Sequence, residues 1–106
     1  MNVEDFAKYV IDNISRASLV NSLNITNSFT SNNNNYNFVE FLNYTQKYVE
    51  YLVSEKRLVS EKAYKILALI VEAKTSVTSD IKYNMMMVID TFIIELWEVF
   101  SGVKNS

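Results

Sequence analysis

The chain has no cysteine, no histidine and no proline, and it has one glycine, Gly102, in 106 residues. Each absence excludes something. Without Cys no disulfide forms, and cysteine usage says nothing about the redox compartment. Without His and Cys, the Ser–His and Cys–His pairs of nucleophilic catalysis cannot be assembled, and the commonest zinc donors are missing. With one Gly there is no glycine-rich loop to cradle phosphates. Hairpins depend on Gly and Asn turns, and β-sandwiches and barrels need many of them. Helices need neither Gly nor Pro inside, where Pro is costly. The shortage of both therefore predicts an all-α fold.

Net charge is −2, without the basic excess by which nucleic-acid binders are usually recognised. The N-terminus carries Glu4 and Asp5 where a secretory signal would carry Lys or Arg, which predicts an intracellular, cytoplasmic protein. The richness in Asn, Tyr and Ile, in a short chain without Cys or His, is a composition met in small viral or plasmid-borne proteins of AT-rich genomes. If the origin is viral, the location is the host cell. Three Asn-x-Ser/Thr triplets, at Asn13, Asn24 and Asn43, are expected by chance in so Asn-rich a chain.

What is present is helical periodicity. The length suits one domain, residues 1–106, able to bury roughly two-thirds of its unfolded surface. Val3, Phe6, Ala7, Val10, Ile11, Ile14 and Ala17 form an unbroken stripe over 3–17, with Asn2 placed to cap it, and the pattern continues to Leu23. Residues 24–36, NITNSFTSNNNNY, read as a long Asn-rich loop, with Ile25 and Phe29 as anchors to the core. A second helix spans 37–56, capped by Asn37, with Phe38, Phe41, Leu42, Thr45, Tyr48, Val49 and Leu52 inward. A third spans 60–74 on Ala63, Ile66, Leu67, Ile70 and Ala73. Leu69 and Val71 widen the stripe and make the middle of this helix apolar nearly all round, which predicts a central helix. TSVTSD, 75–80, reads as a break. Ser79 or Asp80 then starts a fourth helix of about 33 Å, ending near Ser101 with Gly102 as its C-terminal stop. The expected architecture is an antiparallel four-helix bundle with the Asn-rich loop between helices 1 and 2.

The word LVSEK occurs twice, at 52–56 and 58–62. Six residues rotate a helix by about 600°, so the two copies cannot share one helical face. One copy must end a helix and the other begin the next. In the second copy Ser60 is expected as the N-cap, with Val59 and Tyr64 as a hydrophobic staple.

MMMVIDTFIIELWEVF, 85–100, is too apolar for a helix with one side in water, yet Asp90, Glu95 and Glu98 interrupt it too often for a membrane span. Either its own chain surrounds it or a second molecule covers one face. The expected contact face is Met86, Ile93, Ile94, Trp97 and Phe100, each worth about 1.5–3 kcal/mol when fully buried, before association costs. Asp90, Glu95 and Glu98, with Glu72 nearby, read as a solvated stripe rather than as catalytic or metal-holding carboxylates. No catalytic, cofactor-binding or metal-binding residue is expected.

The sequence thus predicts a small non-enzymatic interaction or structural protein, self-associating through its C-terminal helix as a homodimer or meeting another protein, with no cofactor and no membrane partner. The alternative is a nucleic-acid module. Lys56, Arg57, Lys62 and Lys65 form a mildly basic knob at the turn between helices 2 and 3, with Tyr44, Tyr48, Tyr51 and Tyr64 nearby to stack on bases. A groove accepting a partner's helix is a third reading.

Overall fold

The structure is a computed structural model that describes residues 2–29, 37–78 and 85–102. Among these residues the chain is all-helical: α1 (Val3–Ile14), α2 (Leu19–Leu23), a 3₁₀ helix (Asn24–Phe29), α3 (Phe38–Ser54), α4 (Ser60–Thr78) and α5 (Met85–Ser101). The all-α reading holds; the four-helix reading does not, because there are five α-helices.

The first departure is at residues 15–18. α1 stops at Ile14: Ser15 Oγ donates to the Asp12 carbonyl at 3.0 Å, and the Arg16 amide closes a tighter turn onto Asn13. Ser18 then caps a new helix, its Oγ accepting from the Asn21 amide at 3.3 Å. The Ser15 and Ser18 side chains thus satisfy backbone groups at the break between the two helices. Of the expected loop, 24–29 is instead a 3₁₀ helix, held by Thr26 Oγ1 donating to the Leu23 carbonyl and by buried Phe29. The run Asn32–Asn35 lies outside the described residues.

The expected caps of α1 and α3 are in place. Asn2 Oδ1 accepts from the Asp5 amide at 2.8 Å, and Asn37 Oδ1 from the Glu40 amide at 3.0 Å. α4 departs from expectation at both ends. Val59, not Ser60, holds the capping position, its carbonyl accepting from the Ala63 amide. Val59 and Tyr64 are both exposed, so no staple forms. At the other end the helix runs through the expected break to Thr78. Thr75 and Ser76 each turn their hydroxyl back onto the carbonyl four residues earlier, at 2.9 and 3.0 Å, which lets them sit inside a helix. The expected cap of the last helix, Ser79 or Asp80, lies outside the described residues. Gly102 is the left-handed stop foreseen for it, with φ 74° and its amide bonded to the Glu98 carbonyl.

The packing is not uniformly antiparallel. Phe6 meets Phe41 at 5.6 Å, and about two turns further along both helices Tyr48 Oη donates to Asp12 Oδ1 at 2.8 Å, so α1 and α3 run in the same direction. α4 runs against α3, with Lys74 reaching Gln46 and Ala63 lying near Val53. It also runs against α5, with Lys62 reaching the Phe100 carbonyl and Ser76 lying near Met87.

Phe6, Phe29, Phe38, Phe41 and Phe92 nest at one end of the core, most pairs edge to face, with Phe29 and Phe41 5.1 Å apart. Their sources are α1, the 3₁₀ helix, α3 and α5, so the nest ties the fold together. α5 is the central element. It packs against α1, α2, the 3₁₀ helix and α4, and it buries Ile89, Phe92, Ile93 and Leu96. α4, predicted to be central, lies at the edge.

Candidate interaction surfaces

The face proposed on α5 from sequence is largely occupied by the chain itself. Ile93 is 0% exposed and belongs to the protein's own core, which removes it from any contact surface. Trp97 is half-buried against that core, and its Nε1 donates to the Ala17 carbonyl at 2.9 Å, using the bend between α1 and α2 as its partner. Phe100 also packs half-buried against the core, and Met86 and Ile94 are half-buried. What sequence could not supply was the cover: α2 reads as a continuation of the first helix, and the 3₁₀ helix lies in a stretch that reads as loop.

The cations of the alternative site line two hollows that meet at Val59. Lys56 and Arg57 are exposed in the α3–α4 turn beside Leu58 and Val59. Lys62 and Lys65 instead face a hollow between α4 and α5 that also holds Glu61, Glu95 and Glu98. Lys65 pairs with Glu61 at 3.7 Å, and Lys62 Nζ donates to the Phe100 carbonyl at 3.5 Å. Tyr44, Tyr48 and Tyr51 line a different hollow with Glu4, Lys8 and Lys47, where Lys47 stands 5.4 Å from the Tyr44 ring centre. Tyr64 is on α4, away from them. Burial, and the Asp12 carboxylate that accepts its hydrogen bond, raise the Tyr48 phenol above its ordinary pKa.

The carboxylates read as a solvated stripe sit in the α4–α5 groove. Glu95 lies between Glu72 on one side and Glu98 on the other, above Leu69 and Phe92. Burial, then Glu72, then Glu98 raise its pKa above the usual carboxylate value. Glu95 forms no ion pair with a described cation. Among the described residues no group of three or more His, Cys, Asp or Glu side chains could hold a metal ion, and no helix is long and apolar enough to cross a membrane.

No family model, curated protein or solved structure matches the chain. The surface has to be read on its own terms.

α4 exposes two of the largest uncovered apolar side chains, Tyr64 and Val71. Ala63, Ile66, Ile70 and Ala73 point inward and are buried. On the opposite side Glu61, Tyr64, Lys65, Ala68, Val71, Glu72 and Thr75 are all exposed, Tyr64 by 73% and Val71 by 62%. Sequence reading registered the apolar circumference of this helix but placed it at the centre. The signal for a second face was present: Tyr64, Ala68 and Val71 repeat at spacings of four and three.

Proposed function

We propose that this chain is a small non-enzymatic interaction protein that self-associates. The supporting observation is the outer face of α4, where Tyr64 and Val71 stand 73% and 62% exposed on either side of Ala68. The contact therefore belongs to α4, not to the Met86, Ile93, Ile94, Trp97 and Phe100 face of α5, most of which the chain's own packing engages. One helix face per copy is small against the ~1,000 Å² that a stable specific interface needs, so the dimer is weak and concentration-dependent.

Light scattering of the intact chain tests this. The expected result is a mass that rises from monomer toward dimer with concentration. Val71→Glu is expected to shift that rise at least tenfold higher with an unchanged circular dichroism spectrum, because Val71 makes little contact within its own chain. A monomer at every concentration rejects the reading.

The nucleic-acid alternative finds no support in the geometry. Lys62 and Lys65 share their hollow with three carboxylates, and Lys56 and Arg57 line a neighbouring hollow of their own.

A further inference from the structure

We infer that two copies of this chain pair along α4 in antiparallel fashion, about a two-fold axis beside Ala68, with Lys65 of each copy against Glu72 of the other. This rests on the self-association reading and specifies its geometry.

The exposed face of α4 has the layout of a helix–helix seam. Glu61, Tyr64, Ala68, Val71 and Thr75 follow one another at spacings of three, four, three and four, which keeps them on one line facing a neighbour. The middle of that line is Ala68, whose small side chain lets two helix axes approach closely. Tyr64 and Val71 lie on either side of it, so an antiparallel partner brings the Tyr64 ring of one copy toward Val71 and Thr75 of the other.

Charge decides the direction. Lys65 and Glu72 flank the seam on the same side, seven positions apart, and both are exposed. A parallel two-fold pair brings equal residue numbers to equal depth, so Lys65 and Glu72 never come level. An antiparallel pair centred between them brings each Lys65 level with Glu72 of the second copy, and both contacts are between opposite charges. Within one copy these groups are poorly matched. The Lys65–Glu61 pair is exposed and at 3.7 Å, hence readily exchanged. Glu72 faces the groove that holds Glu95, where a cation arriving from a second copy reduces the repulsion.

The test uses Lys65→Glu and Glu72→Lys in the full chain, with mass and affinity followed by analytical ultracentrifugation at low salt. Each variant alone places like charges at both contacts, and each is expected to dimerise at least tenfold more weakly than the parent. Mixed together, the two variants again place opposite charges at both contacts, and a heterodimer of near-parental affinity is expected. Unchanged circular dichroism shows that the variants fold. If the parent dimerises but both variants do so equally well, or if both are weakened and their mixture stays monomeric, the antiparallel α4 pairing is wrong while self-association stands. A parent that is monomeric throughout removes the self-association reading itself.

Discussion

Lys56 and Lys62 end identical pentapeptides and have opposite conformations. Lys56 terminates α3 in the left-handed region, with φ 58°, while the Lys56 and Arg57 amides return to the Val53 and Leu52 carbonyls. Lys62 is an ordinary residue in the first turn of α4. That one copy ends a helix and the other begins one was legible from rotation alone. Which residue takes the strained position was not, because a left-handed Lys has no signature in composition. The conformation costs a non-glycine residue roughly 1–2 kcal/mol, part of which glycine's greater chain entropy returns. Lys56→Gly is therefore expected to raise stability in urea titration by about 0.5–1 kcal/mol. Glu95 makes a second residue-level prediction. Its folded-state pKa is raised, so its contribution to stability is full below the unfolded pKa and is lost as pH rises through the folded one. Glu95→Gln should match the parent below about pH 4 and exceed it in urea midpoint at neutral pH. Equal midpoints at neutral pH would show that the groove does not disfavour the charged carboxyl.

The helices whose inward stripes were read from sequence, α1, α3 and α4, bury most of the residues assigned to them, with Val3, Ala17 and Leu67 only half-buried. The errors fall where hydroxyl and amide side chains meet the backbone. Ser15 and Ser18 break what periodicity would have continued, whereas Thr75 and Ser76 continue what composition would have broken. In each case the side chain can serve either a turn or a helix, and packing selects between them. Phe29 is the clearest instance of packing winning. Its segment is poor in helix formers, yet its ring stands within 5.1–5.6 Å of Phe6, Phe38 and Phe41 and fixes a 3₁₀ helix onto the core. Phe29→Ala is expected to cost about 3–5 kcal/mol by chemical denaturation, a large share of the 5–15 kcal/mol typical of a domain. A loss below about 1 kcal/mol would mean that the nest closes without it.

Periodicity reports how much of a helix wants cover and is silent on which neighbour provides it. That is why the centre and the edge of this molecule were exchanged in the sequence reading. α5 needs cover on two sides and receives it from α4 on one and from α1, α2 and the 3₁₀ helix on the other. α4 packs against α3 and α5 and leaves Tyr64, Ala68 and Val71 exposed on its outer face. The proposed contact surface moves accordingly, from Trp97 and its neighbours to Tyr64, Ala68 and Val71. Direction was no more legible than position. A short connection implies opposed neighbours, which holds for α3 and α4, but α1 and α3 are joined through a helical detour that leaves them pointing the same way.

The indole of Trp97 is the only one in the chain, and it is fastened to the carbonyl of Ala17. The molecule thus carries a fluorophore at the junction of its first and last thirds, needing no label. If the fold melts as one cooperative unit, emission and ellipticity will trace the same urea curve. If the bend at residues 15–18 releases the last helix first, the emission will shift to the red while the helical signal still stands.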